Sequence, residues 1–217
     1  MEVSTAVSER RSIRAFLDQS VSDELITELL AKAARSPSGG NLQPWRLFVL
    51  NGESMVGFKQ KVVEATDPET PAYDIYPQNL KEPYRSSRFK VGEDMYALLG
   101  IPREDKGARI QRLMENYQFF GAPAGFFCYV DEQMGPPQWS DLGMFLQTFM
   151  LLATEAGLAT CAQEAWAARP GVVADYVNPD DGLTLFCGMA IGYADPDAPV
   201  NTLVSDREAV GKFARFV

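Results

Sequence analysis

The sequence contains no histidine among its 217 residues. Histidine is the commonest general base near neutral pH and the commonest metal ligand, so Ser-His and Cys-His nucleophilic sites are excluded. The remaining candidate ligands show no metal-ligand spacing, and we predict that the protein binds no metal. If the protein is an enzyme, we therefore expect a cofactor to carry the chemistry.

Cysteine is also scarce, with three residues and no Cys-x-x-Cys pair. Cys128 and Cys187 lie in apolar runs, which predicts buried, reduced thiols and a cytoplasmic protein. The first residues carry charge and lack the apolar core of a signal peptide. The longest apolar stretch, residues 144–162, is interrupted by polar side chains and is typical of a buried helix, so no membrane span is expected.

Positive charge is in the minority, with 20 basic against 29 acidic side chains and a net charge of -9. Such a surface repels nucleic acids and anionic membranes, so neither is an expected partner. A bound anion would need a local basic cluster, and Arg10-Arg11-Ser12-Ile13-Arg14 is the one present. The glycine-rich signatures of Rossmann and P-loop nucleotide sites are absent.

The length and the ordinary apolar fraction of 46% indicate one domain spanning residues 1–217. Ser22 is a plausible N-cap for the first amphipathic helix. Periodicity predicts helices over 22–36, 54–65, 86–99, 103–119 and 142–156, and strands over 46–50, 125–130 and 183–193. Residues 66–84 contain four prolines and are long enough to suggest a lid or binding loop. Pattern alone leaves α+β and α/β folds open.

Three segments present polar groups suited to a ligand. Arg10 to Arg14 can wrap a phosphate with charge-assisted bonds, although taken alone the segment favours a solvated basic turn. Residues 37–45 fix an irregular backbone with two prolines and two glycines, which favours either a polyol or heterocycle site or a rigid turn. Residues 157–166 offer Glu164 and Trp166 to a pocket, but taken alone they read as a connection between helices.

Taken in order, these segments resemble the FMN-dependent nitroreductase family. The resemblance rests on the opening residues 10–16, on Pro37-Ser38-Gly39-Gly40-Asn41-Leu42-Gln43-Pro44-Trp45 after one amphipathic helix, and on Asp141-Leu142-Gly143 at the central helix. It continues through residues 157–160 and 188–193 to Asn201 and Arg207, and so covers almost the whole chain. Residues 119–123 and 161–166 look like the branch that reduces nitroaromatic compounds such as nitrobenzoates.

The resemblance implies a fold and an assembly. The fold would be an α+β, three-layer α-β-α sandwich with a mixed, mostly antiparallel sheet. The C-terminal tail would extend onto the partner subunit of a homodimer, and FMN would bind at the dimer interface.

It also implies the site residues. Arg10, Ser12 and Arg207 would grip the FMN phosphate, with Arg11 assisting, and Arg14 would reach the ribityl or pyrimidine side. Contacts from the partner would come from the loop that contains Pro37, Ser38, Gly39, Asn41 and Gln43. Gln163 and Glu164 would border the reactive face near flavin N5.

The function that follows is a flavoprotein oxidoreductase that takes a hydride from NADH or NADPH and reduces a small aromatic acceptor by ping-pong exchange through flavin N5. Nitroaromatic compounds would yield nitroso and hydroxylamine products. The same scaffold could instead reduce an enone, a quinone or a halogenated aromatic, or could bind flavin without catalysis. Walls for the substrate slot would come from Tyr73, Tyr76, Tyr84, Tyr96, Phe119 and Phe120, each of which could equally be a core or interface residue.

Overall fold

A four-stranded antiparallel sheet forms the centre of the protein in a computed structural model that describes residues 1–217. The strands are β1 (Arg46–Asn51), β2 (Ala124–Asp131), β3 (Ala159–Gln163) and β4 (Leu183–Gly192), in the order β1-β2-β4-β3. The one parallel element is an isolated bridge between Ser12 and Thr160. The central strand β2 is buried from Ala124 to Val130, which explains its unbroken apolar run.

Helices cover both faces of the sheet. They are α1 (Val3–Glu9), α2 (Asp23–Ala33), α3 (Glu53–Glu64), α4 (Tyr84–Leu98), α5 (Lys106–Met114), α6 (Pro136–Glu155), α7 (Pro170–Val177) and α8 (Val210–Phe213). Ser22 caps α2 as predicted, because its hydroxyl accepts a hydrogen bond from Leu25 N at 3.2 Å.

Two hydrophobic cores lie on opposite faces of the sheet. One packs α2 and α6 against side chains such as Phe126 and Met189. The other packs α3 and α7 against side chains such as Phe127 and Leu185. Because successive strand residues point to opposite faces, Phe126 and Phe127 enter different cores. The predicted three-layer sandwich is confirmed.

The structure adds helices α1, α7 and α8, which periodicity did not predict, and it departs from the predicted elements at three further places. Residues 159–163 form strand β3 instead of a connection between helices, because they pair with β4 from Ala159 to Gln163. Helix α6 begins at Pro136, earlier than predicted. Helix α5 ends at Met114 and a 3-10 turn follows to Gly121, because Phe119 and Phe120 have left-handed φ values of 51° and 53°.

No helix in the protein is long and apolar enough to cross a membrane. All three cysteines are buried and free, as predicted. Cys128 and Cys187 are neighbours in the register of β2 and β4, and burial raises the pKa of the Cys128 thiol to about 12. These thiols therefore act as small apolar core residues.

Candidate functional site

The basic segment near the N-terminus lies in an extended conformation along the outer edge of β3. Ile13 N donates to Thr160 O at 3.0 Å, and Leu17 N donates to Tyr193 O at 2.9 Å. These bonds tie residues 10–17 to the last two strands of the sheet. The basic cluster is therefore a fixed part of the fold and not a solvated turn.

The backbone of Arg14 is held from two directions. Arg14 N donates to Asn201 Oδ1 at 2.9 Å, and Arg14 O accepts a hydrogen bond from Arg112 Nη2 at 2.8 Å. Asn201 also donates from Nδ2 to Ala15 O at 2.8 Å. Because both backbone groups of Arg14 are fixed, its side chain leaves the chain in a defined direction.

Four arginines come together at one cavity of ≈290 Å³, which we call the arginine cavity. Its basic members are Arg10, Arg11, Arg14 and Arg207, brought together although the last lies nearly two hundred residues from the first three. The other lining residues are Val7, Ser8, Ser12, Val91, Leu203, Val204 and Ser205. Guanidinium forks and hydroxyls with no carboxylate among them are the donor set that a phosphate monoester requires. The cavity therefore fits the phosphate end of FMN.

A second cavity of ≈420 Å³ lies beside it and shares Arg10 and Arg11. Its lining also includes the carboxylates of Glu9 and Asp195. Because these acids offset the arginines, this neighbouring cavity suits a doubly charged anion less well than the arginine cavity does.

Arg207 lies in a turn of the C-terminal tail. Its Nη1 donates to Ser205 Oγ at 2.7 Å, and the neighbouring Asp206 pairs with Lys90 of α4 at 3.0 Å. The ion pair joins this segment to α4, and Arg207 lines the same cavity as Arg10.

The loop of residues 37–43 lies elsewhere in the protomer. Gln43 N donates to Ser38 Oγ at 3.0 Å, and Gly39 N donates to Asp141 Oδ2 at 3.2 Å. Asn41 and Gln43 have left-handed φ values of 56° and 49° and are exposed. No residue of this loop, Pro37 included, lines the arginine cavity, so the two segments do not meet there within the chain.

Gln163 and Glu164 lie where β3 ends and a 3-10 turn begins. The Gln163 side chain is buried, donates from Nε2 to Asn116 O at 2.7 Å, and accepts from Trp166 Nε1 at 3.5 Å. Because this side chain is already hydrogen-bonded inside the protein, a ligand could meet Gln163 only through its backbone. The Glu164 side chain is exposed.

The predicted binding loop after α3 is fastened to the protein along its first half. The Glu69 carboxylate accepts from Arg169 Nε at 2.7 Å and from the backbone N–H groups of Gly171 and Val172 at the start of α7. Tyr73 farther along donates its hydroxyl to a backbone carbonyl of β4, and burial is the main cause that raises its pKa. Only the second half of the loop is left to act as a lid.

We predict that Glu69→Gln lowers the free energy of unfolding by about 2 kcal/mol, because it leaves the largely buried Arg169 without a counter-charge. Urea unfolding followed by fluorescence measures this. Glu82→Gln is the control, because the Glu82–Arg85 pair is exposed and its loss should change the free energy of unfolding much less. Equal losses in the two variants would contradict the role of Glu69 as a clamp.

The aromatic candidates for the substrate slot separate into two groups. Phe119 and Phe120 are buried in the core, so the structure excludes them as slot walls. Tyr76 and Tyr84 are exposed, and Tyr96 lies under the guanidinium of Arg109 at 4.1 Å.

Arg112 is a site residue that sequence reasoning missed. It follows Arg109 by one helical turn on α5, and nothing in the sequence distinguishes the two arginines. Their environments differ only in the folded protein, where Arg109 pairs with Glu93 and Arg112 contacts Arg14.

Comparison with known proteins agrees with this geometry. A family model described as "Nitroreductase family" matches residues 7–193. The chain is 37% identical over 212 residues to 4-nitrobenzoate reductase of Pseudomonas putida, which covers 97% of this chain and 93% of that protein. It superposes on the FMN and NADPH-dependent nitroreductase NfnB of sphigopyxis sp. strain HMH with a TM-score of 0.96 and 43% identity, covering 100% of this chain and 99% of that one. FMN-dependent NfnB from Mycobacterium smegmatis, in complex with NADPH, gives a TM-score of 0.92 at 26% identity, with both chains fully covered.

Proposed function

The chain belongs to the nitroreductase family, and we propose that it is an FMN-dependent oxidoreductase that reduces nitroaromatic compounds with electrons from NADH or NADPH. Relatives that cover nearly the whole chain include a 4-nitrobenzoate reductase, a nitrobenzene nitroreductase from Ectopseudomonas oleovorans and a chloronitrobenzene nitroreductase from Comamonas testosteroni. The substrate class follows from these relatives.

The arginine cavity is the observation in this structure that supports the proposal. A protein of net charge -9 places four guanidinium groups and no carboxylate around one small cavity. Concentrating like charges costs free energy unless an anion offsets it, so the arrangement is explained by an anionic ligand. Arg10, Ser12 and Arg207 would hold the FMN phosphate, and Arg11 would assist.

FMN, when bound, supplies the ring that accepts a hydride from NAD(P)H and passes it to the nitro compound. The residues of this chain bind and orient. Arg14, fixed through its backbone, would place a positive charge where the cofactor becomes negative on reduction. The backbone N–H of Glu164, at the end of β3, would lie at the reactive edge beside the backbone of Gln163. No side chain of this set has to accept a proton, in keeping with a protein that lacks histidine.

We propose that the functional unit is a homodimer. The loop of residues 37–43 is apart from the arginine cavity in one subunit, so its Pro37, Ser38, Gly39, Asn41 and Gln43 would reach the cofactor from the other. Helices α4 and α5 bury no residue within one subunit. The tail also leaves Phe213 and Phe216 exposed, at 69% and 97%. A second copy of the chain would cover these apolar surfaces.

We also propose a cytoplasmic location, which is supported by the three free, buried cysteines, since these suit a reducing compartment. A small aromatic nitro compound is the proposed acceptor.

An absorption spectrum of the purified protein tests the proposal. We expect a yellow protein whose visible bands bleach when NADH or NADPH is added without oxygen and return when 4-nitrobenzoate is added. Steady-state kinetics should give parallel double-reciprocal lines, because in ping-pong exchange the first product leaves before the second substrate binds.

A colourless protein that takes up no added FMN would contradict the proposal. The bleached protein could instead be reoxidised much faster by an enone, a quinone or a halogenated aromatic than by any nitroaromatic compound. That result would support the flavin site but contradict the proposed acceptor. Reduction by NAD(P)H too slow for turnover would leave a flavin-binding protein without catalysis.

A further inference from the structure

Arg112 is a half-buried arginine that forms no ion pair. Its Nη2 donates to the backbone O of Arg14 at 2.8 Å, while its Nε is shielded from solvent and has no hydrogen-bond partner. Arg109, on the same helix, instead forms two bonds with the Glu93 carboxylate at 2.5 and 3.0 Å. A charge that is partly removed from water and forms no ion pair costs free energy, so the presence of Arg112 at this position calls for an explanation.

An aromatic ring covers one side of the Arg112 guanidinium. Its guanidinium carbon lies 5.2 Å from the centre of the Phe120 ring, which is 6% exposed. Phe120 is presented by the turn in which Phe119 and Phe120 both have left-handed φ values, a conformation that bulky residues adopt only when their surroundings impose it. Burial lowers the pKa of Arg112, yet a guanidinium keeps its proton at any physiological pH. The positive charge is therefore permanent.

Two positive charges thus lie one behind the other at this edge of the site. Arg14 lines the arginine cavity, and Arg112 contacts the Arg14 backbone from the protein side. The negative charge of Glu115 acts to raise the pKa of Arg112, and the positive charge of Arg14 acts to lower it. In a region with little water the field of such a pair is weakly screened.

We propose that Arg112 is a positioning residue that fixes the Arg14 backbone and adds a second positive charge that no ion pair neutralises, so that the site binds reduced FMN more tightly relative to oxidised FMN. This inference rests on the proposed function, because it concerns the cofactor of that site. It explains why the half-buried guanidinium forms no ion pair: a paired carboxylate there would cancel the field that favours the more negative form of the cofactor.

The experiment measures the affinities of the protein for oxidised and reduced FMN and takes their ratio, which the midpoint potential of the bound cofactor also reports. We expect Arg112→Met to lower the preference for reduced FMN about tenfold, which for a two-electron couple corresponds to about 30 mV. Arg112→Lys keeps the charge and loses the planar fork, so its ratio should remain within about threefold of wild type while oxidised FMN binds more weakly.

Two further variants separate this role from a general effect on folding. Arg109→Met removes an arginine from the same helix, but one that is already paired, and should leave the ratio within about twofold of wild type. Glu115→Gln removes the opposing acid and keeps Arg112 in place, so it should raise the preference for reduced FMN about two- to threefold. It gives the deciding result even if Arg112→Met does not fold.

An unchanged ratio in Arg112→Met, or an unchanged or lowered ratio in Glu115→Gln, would overturn the role of Arg112 while leaving the proposed function intact. A wild-type protein that binds no FMN would overturn both. A lowered ratio in Arg112→Met together with a raised ratio in Glu115→Gln supports the inference, because loss of packing alone does not produce opposite signs.

Discussion

A protein in which Arg10 and Arg207 are both replaced by glutamine should bind FMN about 10³-fold more weakly than wild type, since each charge-assisted hydrogen bond contributes about 1.5–3 kcal/mol. The two arginines lie at opposite ends of the sequence and line the same cavity. Glutamine retains a donor at each position but lacks the charge and the fork that a phosphate engages. Quenching of FMN fluorescence on addition of apoprotein measures the dissociation constant.

The matched control removes two positive charges elsewhere. Lys32 and Lys61 are exposed and pair with Glu28 and Asp175 on the outer helices. The double variant Lys32→Gln, Lys61→Gln should bind FMN within about threefold of wild type, because exposed charges far from the site are screened. If both double variants lose affinity equally, net charge would explain the effect and the arginine cavity would not be the phosphate site.

The second large effect is expected at Gly188 in β4. A Cβ placed there would lie 2.3 Å from Cδ1 of Trp166 and 2.8 Å from its Nε1. Trp166 is fully buried, with Phe127 and Tyr117 each 5.1 Å away between ring centres, so it has no space to move. We expect Gly188→Ala to lower the free energy of unfolding by about 3 kcal/mol or more.

Gly188→Ala should also weaken FMN binding, because Trp166 lies in the 3-10 turn that Glu164 begins. Urea unfolding with intrinsic fluorescence gives the free energy, and FMN quenching gives the affinity. Gly107→Ala is the control, since a Cβ there would meet only Asp105 at 3.7 Å, an ordinary contact. It should change stability by less than about 1 kcal/mol.

A second substitution identifies the cause of the loss. In a Trp166→Ala background, where the ring that meets the new methyl group is gone, Gly188→Ala should cost about 1–2 kcal/mol less than in wild type. An equal cost in both backgrounds would place the strain elsewhere in β4 and contradict the predicted clash.

Much of the fold was accessible from the sequence because it depends on local patterns. The N-cap at Ser22, the buried strand over residues 125–130 and the apolar part of the central helix appear where periodicity and capping place them, although that helix begins earlier, at Pro136. Strand β3 was not accessible in this way. Its five residues have no clear alternation, and they become a strand because β4 and the N-terminal segment offer hydrogen bonds on either side.

The site shows the same division. The resemblance to the nitroreductase family predicts that Arg10, Ser12 and Arg207 bind one phosphate group, and in the structure all three line one cavity. The side-chain direction of Gln163 depends on the strand's alternation and on Asn116, so the sequence could not reveal that it points inward. Arg112 carried no signal at all, because a helix surface holds many arginines and only packing distinguishes a buried one from a paired one.

By itself, the sequence determined that this protein has no histidine chemistry, a strongly acidic balance with one basic cluster, and the ordered segments of a flavin-dependent family. Those properties follow from residue identity and local spacing, which need no fold to act. The tertiary structure alone decided which arginines share a cavity, which arginine behind them forms no ion pair, and at which position Trp166 requires a glycine. Such facts depend on contacts between residues far apart in the chain, and the free energy of those contacts is set by burial and distance.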